Sequence, residues 1–278
     1  MSSLLAAASE DAPISAHTDL HCHILPAWDD GAKTLEDALQ MLERARKCGT
    51  TTITATPHVG RAFRGVEHEA ASIAEGVQKL QAEIDARGLG IQILPGAEIL
   101  LGSVDLLGDA GVLPEWTVAG AGKYALIESP YRTWPEFGNS MVLQLKMRGV
   151  TPIIAHPERY IDVQKDIARI ENALGNGAIL QITAGTLLGH NDKAMQKCCF
   201  ALLDAGFAHL VSSDAHNVSH AWPGEAIEVV QKRVGTSRAR QIFEANPRAV
   251  LEGKIFPVQI RPEKIESASL LGRLFRRG

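Results

Sequence analysis

The stretch Thr18-Asp19-Leu20-His21-Cys22-His23 decides the fold, because it places two histidines at the end of a short strand-like segment. Six further segments are also rich in β-branched or apolar residues and also end in polar residues. They span residues 51–58, 91–98, 124–128, 151–156, 178–183 and 209–216 and end in His58, Glu98, Glu128, His156, Thr183, Asp214 and His216. Polar side chains at the C-terminal ends of successive parallel strands are typical of the active site of a β/α barrel. The sequence therefore predicts an α/β barrel of seven strands.

Helical patterns fill the gaps between these segments. The clearest covers residues 34–47, where Leu35, Ala38 and Leu42 recur at helical spacing after Thr34 as the N-cap. Further helices are predicted over residues 67–87, 141–147, 161–174, 193–203, 222–233 and 237–244. Alternating strands and helices require a parallel sheet. We predict one TIM-barrel-like domain over residues 17–255, without an obvious eighth strand, between a loose leader (1–16) and a basic, amphipathic tail (256–278).

Composition excludes several classes of protein. The 278 residues are 45% hydrophobic and 22% charged, as in ordinary globular proteins. The net charge of −4 comes without the basic stripe of a nucleic-acid-binding protein. No apolar run approaches the roughly 18 residues of a membrane span. The four cysteines form no CxxC pair and the N-terminus lacks signal-peptide features, so we expect a cytoplasmic protein.

Histidines and carboxylates at the strand ends predict a metal site. His21 and His23, at positions i and i+2 of a strand, project to one face and can hold one ion together. Imidazole and carboxylate without thiolate suit manganese, iron or zinc acting as Lewis acids. The remaining candidates exceed the needs of one ion and indicate two or three: Asp29, Asp30, His58, Glu98, Glu128, His156, Asp214 and His216.

Other histidines and the thiols fall outside this pattern. Strand alternation turns Cys22 away from its two histidine neighbours, so we interpret it as a buried structural thiol. We expect five histidines on the surface or in the core: His17, His68, His190, His209 and His220.

The combination of motifs resembles a known family, the PHP-family metal-dependent protein-tyrosine phosphatases of bacterial capsule and exopolysaccharide clusters. The resemblance covers about residues 17–250 and rests on these segments: Asp19 to Pro26 (DLHCHILP), Asp29-Asp30-Gly31, Thr56-Pro57-His58, Gly96-Ala97-Glu98-Ile99, Ala155 to Tyr160 (AHPERY) and Ser213 to Asn217 (SDAHN). The resemblance implies a distorted (β/α)7 barrel that holds three ions, usually manganese, with iron, zinc, cobalt or magnesium as alternatives.

The resemblance also implies which residue holds which ion. The first ion would take His21, His23, Glu98 and Asp214. The second would share Glu98 and add Glu128 and His156, and the third would take Asp30, His58 and His216. Either Asp29 or Asp30 could be the ligand of their pair. Catalytic roles fall to Arg159, whose fork can clamp phosphate oxygens, and to Asp214 and His216. An ion pair with Glu158 or with a helix carboxylate is the alternative role for Arg159.

The implied activity is hydrolysis of phosphotyrosine by a metal-bridging hydroxide. Its substrate would be a tyrosine autokinase of polysaccharide export. A cysteine mechanism is excluded, because no arginine follows any cysteine at the Cys-x5-Arg spacing. The chain departs from the family in two respects. Val218-Ser219-His220 replaces an arginine common after SDAHN, and His220 substitutes for it only when protonated. Residues 181–186 (QITAGT) stand where relatives often have Gln-x-Asn-x-x-Ser, which is a mild change.

Three alternatives stay open at this point. A small-molecule phosphoesterase of the same fold, such as a histidinol-phosphate phosphatase, would use the same ligands. A metal-dependent amidohydrolase also begins with HxH, but it usually needs a bridging lysine that no strand end here supplies. A binding protein without turnover is the third. The sequence does not specify the oligomeric state, and a homo-oligomer is compatible with it.

Overall fold

The computed structural model describes residues 13–14, 17–60, 70–102 and 114–257. Its strands are β1 (His17–Cys22), β2 (Thr50–Ala55), β3 (His58–Val59), β4 (Gln92–Pro95), β5 (Glu98–Leu100), β6 (Tyr124–Glu128), β7 (Thr151–Ala155), β8 (Ile179–Thr183) and β9 (Ala208–Ser212). All paired strands are parallel. Their order is β1-β2-β4 in one sheet and β3-β5-β6-β7-β8-β9 in the other.

The two sheets form one closed barrel. β2 continues into β3, and β4 into β5, after two-residue interruptions, so nine strands occupy seven barrel positions. The seam closes where the backbone N–H of Asp214 donates to the carbonyl of His21 at 2.9 Å and that of His23 donates to Ala215 at 3.0 Å. The predicted seven-stranded barrel is confirmed, and no strand of the described residues occupies an eighth barrel position.

Helices cover the outside of the barrel. They are α1 (Leu35–Lys47), α2 (Ala70–Ala86), α3 (Glu136–Met147), α4 (Ile161–Lys165), α5 (Glu171–Gly175), α6 (Ala184–Leu187), α7 (Lys193–Asp204), α8 (Pro223–Val234), α9 (Thr236–Arg240) and α10 (Asn246–Leu251). Thr34 caps α1 as predicted, because its hydroxyl accepts from the Asp37 N–H while the Asp37 carboxylate accepts from the Thr34 N–H. None of the described helices has the length and apolar content needed to cross a bilayer.

Three predicted helices were wrong in their limits. The helix expected over 161–174 is broken at Asp166, which is extended and accepts from the Ala168 N–H at 3.0 Å. A short polar side chain that bonds to its own backbone competes with the helix. α3 begins at Glu136 rather than 141, and the helix expected over 237–244 runs through a π-helical turn into α10. His68, the tail from 258 and all of the leader except 13–14 lie outside the described residues, and the domain limits stay predictions.

Strand alternation separates the inside of the barrel from the layer under the helices. Leu126 packs in one cluster with Ile153, Ile179 and Leu210, whereas Ala125 and Ile127 belong to the larger core that includes helix residues. Because alternate residues of a strand point to opposite faces, Glu128 shares the face of Leu126. Gln181 shares the face of Ile179 for the same reason. The apolar cluster thus fills the barrel below its polar C-terminal mouth.

His209 is a buried histidine of the core. It is fully buried on β9, and its Nδ1 accepts from the Leu180 N–H at 3.1 Å. Burial and the Arg238 charge lower the pKa of His209 to about 3. The unfolded chain has a histidine pKa near 6.5. The unfolded state therefore binds an extra proton between about pH 6.5 and 3, and the stability that neutral His209 supports is lost as the pH falls through that window.

Replacing His209 with asparagine tests this linkage. The amide oxygen can accept from Leu180 in place of Nδ1, and the variant has no imidazole to protonate. We expect the free energy of unfolding of the wild type to decline more steeply than that of His209→Asn between about pH 6.5 and 4, measured by urea unfolding. His190→Asn, at an exposed position, is the matched control. Equal slopes for all three proteins would contradict the prediction.

Candidate metal centre

His21 and His23 lie at the end of β1 with their Nε2 atoms facing each other. Gln181 Oε1 lies 2.8 Å from His21 Nδ1, and Asp29 Oδ2 lies 2.7 Å from His23 Nδ1. Both partners accept hydrogen bonds, so both Nδ1 atoms carry protons in the neutral rings. Each Nε2 then presents a lone pair, and the two Nε2 atoms are only 3.2 Å apart. Two facing lone pairs at this distance require a positive charge between or beside them.

Glu98 and Asp214 add carboxylate oxygens to the same point. Glu98 Oε2 lies 3.3 Å from both His21 Nε2 and His23 Nε2, and Asp214 Oδ1 lies 3.3 Å from His21 Nε2. The other Glu98 oxygen lies 2.9 Å from His156 Nε2. Glu98 is 1% exposed and so stands at the centre of the cluster, between the histidines of β1 and that of β7.

A second group opens toward solvent. His58 Nε2 and His216 Nε2 each lie 3.4 Å from Asp30 Oδ1, and His58 Nδ1 lies 3.3 Å from Glu128 Oε1. Asp30 is half exposed, unlike the buried Glu98. The structure thus brings all nine predicted ligands into four overlapping groups: His23, Asp30, His58 and His216; His21, Glu98 and His156; His21, His23 and Asp214; His58, Glu98 and Glu128.

The grouping agrees with the resemblance in part. His58 joins Glu98 and Glu128, where the resemblance placed His156, and His23 joins the group of Asp30. Glu98 belongs to two groups, as expected of a bridging carboxylate. The structure therefore brings together the predicted residues, but it groups them differently from the resemblance.

Charges in this cluster are strongly coupled. Against the effect of burial, Glu98 and Asp214 raise the pKa of His21, and burial is likewise outweighed where Asp30 and Glu128 raise the pKa of His58 to about 10. Burial is also outweighed at Asp214, where His21 and Arg159 hold the carboxyl pKa well below its usual range. Asp214 therefore stays ionised and demands cationic partners, either protonated histidines or metal ions.

Three buried atoms of the cluster lack a well-aligned hydrogen bond. His58 Nδ1 and Glu128 Oε1 lie 3.3 Å apart, and Asp214 Oδ1 lies 3.3 Å from His21 Nε2, yet none of the three makes a hydrogen bond among the described residues. A buried polar atom whose hydrogen bonding is incomplete is costly. All three point into the cluster, and the mixed imidazole and carboxylate donors suit a divalent cation. The residues present therefore fit the metal ions that the sequence predicts.

Backbone strain marks two of the strand ends. His156 has φ 34° and Asp214 has φ 51°, both left-handed values that cost energy for residues other than glycine. Each follows a barrel strand by one or two residues and turns its side chain toward the cluster. The strain is what re-aims these two side chains into the mouth.

Asp29 and Asp30 have different places. Asp29 is buried, and its carboxylate accepts from the backbone N–H groups of His58 and Gly31 at 3.1 and 2.9 Å as well as from His23. Asp30 faces His58 and His216. Asp29 therefore orients a histidine, whereas Asp30 is the member of the pair whose carboxylate lies between two histidines. Cys22 is buried with its thiol donating to the Ala215 carbonyl, in line with a structural role.

Arg159 bonds to Asp214 rather than to Glu158. Its guanidinium donates to Asp214 Oδ2, on the side away from the histidines, and its side chain is 38% exposed. It lines a cleft of about 280 Å³ together with Thr183, His190, Asn191, Ser219 and His220. Asp30 and His216 line a separate cleft of about 290 Å³ with Lys33 and Val218. The cluster is thus accessible from two sides.

Sequence reasoning missed three residues that serve this site. Gln181 orients His21, and Tyr160 bonds beside His156. His220 was assigned to surface or core, yet its Nδ1 lies 3.2 Å from both the His216 nitrogen and the Asp214 carbonyl oxygen. Burial lowers the pKa of His220, so it supplies no permanent charge in place of the missing arginine. Strand alternation on β8 could have found Gln181, whereas the others depend on loop conformation.

A family model described as capsular polysaccharide synthesis, CpsB/CapC, matches residues 17–252. The chain belongs to this family. The resemblance inferred from the motifs is confirmed.

Relatives of this CpsB/CapC protein include the tyrosine-protein phosphatase YwqE of Bacillus subtilis, 32% identical over 86% of this chain and 98% of YwqE. The tyrosine-protein phosphatase CpsB of Streptococcus agalactiae is 30% identical over 84% of this chain and 98% of its own. A chain from the crystal structures of YwqE from B. subtilis and CpsB from Streptococcus pneumoniae, described as metal-dependent tyrosine phosphatases, matches with a TM-score of 0.81 and 32% identity, over 89% and 99% of the two chains.

Substitutions at the aspartate pair test their separate roles. Asp30→Asn is expected to reduce the number of manganese ions bound per chain, because it removes a carboxylate that faces two histidines. Asp29→Asn is expected to keep that number and to weaken binding about 10- to 100-fold, as for other partners of a ligand histidine. Asp37→Asn is the control, because Asp37 belongs to the capping box of α1 and lines the same cleft as Asp30. Metal analysis and calorimetric titration measure both quantities, and the opposite pattern would exchange the two roles.

Proposed function

We propose that this protein is a metal-dependent protein-tyrosine phosphatase. The observation that carries the proposal is the pair of Nε2 atoms of His21 and His23, 3.2 Å apart and each within 3.5 Å of the Glu98 and Asp214 carboxylates. Acceptor atoms held this close in a buried site need divalent cations. The family of the chain and the names of its relatives supply the reaction, phosphotyrosine hydrolysis.

The proposed ligands are the nine residues of the cluster, with up to three manganese ions as the cofactor. As the resemblance implies, His21, His23, Glu98 and Asp214 would hold one ion, Glu98, Glu128 and His156 a second, and Asp30, His58 and His216 a third. Three divalent ions against four carboxylates leave a net charge of about +2, which attracts a phosphate dianion. Bound cations supply charge for the phosphate oxygens and make a water molecule acidic enough to attack near neutral pH.

The chain's own residues position the substrate. Arg159 has its guanidinium held by Asp214 at the edge of the cluster, where its remaining N–H groups can bind phosphate oxygens in a fixed direction. Asp214 would thereby contact both a cation, as its ligand, and Arg159, which binds the phosphate. His216 lies beside Asp30 at the other cleft, on the exposed side of the centre. Tyrosine is a good leaving group because its phenol has a pKa near 10.

A thiol route is disfavoured by burial. Burial raises the pKa of Cys48 to about 11 and that of Cys198 to about 12, and it raises the pKa of Cys22 and Cys199 as well. The thiolate is the nucleophilic form of cysteine. All four thiols therefore stay protonated at neutral pH, which leaves the metal cluster as the source of the nucleophile.

The proposed substrate is a phosphotyrosine protein, in particular a tyrosine autokinase that controls capsule or exopolysaccharide synthesis. The support is the family description, which places related proteins in capsular polysaccharide synthesis. The proposed location is the cytoplasm, a reducing compartment in which four free thiols persist.

Phosphate release from a phosphotyrosine peptide in manganese, with and without EDTA, tests the activity. We expect release that EDTA abolishes and manganese restores. Asp214→Asn is expected to lose at least 100-fold in kcat/KM, because it removes charge shared by the cations and Arg159. Asp204→Asn is the control, because Asp204 lies on α7, outside the mouth, and pairs with Arg233 of α8. Faster hydrolysis of histidinol phosphate would indicate a small-molecule phosphatase, and bound manganese without turnover a binding protein.

Arg159→Ala tests substrate positioning. We expect about 10- to 100-fold lower kcat/KM for the peptide, with manganese binding retained, because a charged hydrogen-bonding partner of the phosphate is lost. Arg169→Ala is the control, since Arg169 is 55% exposed and lies 3.7 Å from Asp162, away from the cluster. Unchanged kcat/KM for Arg159→Ala would assign Arg159 a structural role only.

A further inference from the structure

The Tyr160 hydroxyl joins two neighbouring strand ends of the barrel mouth. It accepts from the Ser129 N–H at 3.0 Å and donates to the Ala155 carbonyl at 3.2 Å. Ser129 directly follows Glu128 at the end of β6, and Ala155 directly precedes His156 at the end of β7. One hydroxyl therefore bonds to the backbone beside two proposed ligands.

The same short turn bonds to the next two strands. Glu158 Oε1 accepts from the Thr183 N–H at 2.9 Å at the end of β8, and Arg159 donates to Asp214 after β9. The turn from His156 to Tyr160 thus contacts the ends of β6, β7, β8 and β9. We call residues 156–160 the strand clasp.

Tyr160 is held rigidly within the clasp. It is 3% exposed, and its ring meets the His156 ring edge-on, with centroids 6.4 Å apart and planes at 70°. The Trp134 ring packs on it at 6.1 Å. His156 has the strained φ of 34°, so its direction depends on contacts that hold the turn in place.

We propose that Tyr160 is a positioning residue whose hydroxyl fixes the residues after β6 and β7 and so holds Glu128 and His156 in place around Glu98, which groups with each of them. The inference rests on the proposed function, which makes Glu98, Glu128 and His156 cation ligands. Removing the hydroxyl leaves the Ser129 N–H without this acceptor and loosens the backbone beside the two ligands, just beyond the paired part of β6 and β7. Groups that hold ligands in place typically contribute 10- to 100-fold to metal affinity.

The chain contains a matched control at the opposite end of the same strand. Tyr124 begins β6, is 4% exposed, and donates its hydroxyl to the Lys254 carbonyl at 2.7 Å. Tyr124→Phe and Tyr160→Phe each delete one buried hydroxyl bonded to backbone. Only Tyr160 lies at the metal end of the barrel.

Manganese titration of the two variants, by calorimetry and by electron paramagnetic resonance of bound Mn²⁺, tests the proposal. We expect one manganese-binding step of Tyr160→Phe to weaken about 10-fold or more, with Tyr124→Phe binding as the wild type. A loss of stability alone would not produce this difference. The rise in Tm on adding manganese should also be smaller for Tyr160→Phe, and this comparison holds even when the variant is less stable without metal.

The outcomes separate this inference from the proposed function. If both variants bind manganese as tightly as the wild type does, Tyr160 has no positioning role and the proposed function stands. If the wild type binds no divalent cation, the proposed function fails and the inference fails with it. Equal weakening in both variants would show a general effect of stability and would also overturn the assignment to Tyr160.

Discussion

The mouth of the barrel depends on one electrostatic constraint: buried acceptor atoms face each other and need cations to hold them together. His21 and His23 point lone pairs at one another across 3.2 Å, and Glu98 adds negative charge 3.3 Å from both. In a site of low polarity such repulsion is expensive. The hydrogen bonds that His21 donates to Gln181 and His23 donates to Asp29 keep this arrangement in place rather than relieve it.

The rest of the fold supports these positions from the backbone. Asp19 is fully buried at the seam, where one carboxylate oxygen accepts from the His21 N–H at 3.3 Å and the Ser213 N–H at 3.0 Å. Asp19 thus connects β1, which carries His21, with the residues just after β9, which lead to Asp214. The strand clasp does the same for β6 to β9, and the left-handed residues His156 and Asp214 turn inward between these supports. Stability and site geometry share the same contacts.

The departure from the family pattern is local to one rim of the site. After Asn217 the chain makes a tight turn in which the Ser219 N–H and hydroxyl both donate to the Asn217 side chain, at 3.0 and 2.6 Å. Val218 is left 45% exposed beside one cleft, and His220 is half-buried beside the other. Among the described residues that line the cleft of His220, Arg159 is the side chain with a permanent positive charge. Arg159 is therefore the residue to which we assign phosphate binding at this cleft.

The sequence by itself determined the seven strands, the barrel and the membership of the cluster, because strand alternation and strand-end position depend on local residue order. His21 with His23, and Glu128 on the face of Leu126, follow directly from a period of two. Only the tertiary structure decided the contacts of Asp29, Gln181 and Tyr160, and the pairing of Arg159 with Asp214. Those contacts join segments far apart in sequence and depend on loop conformations and left-handed residues, which no local periodicity encodes. The break at Asp166 likewise came from a side chain bonding to its own backbone, against a pattern that favoured one helix.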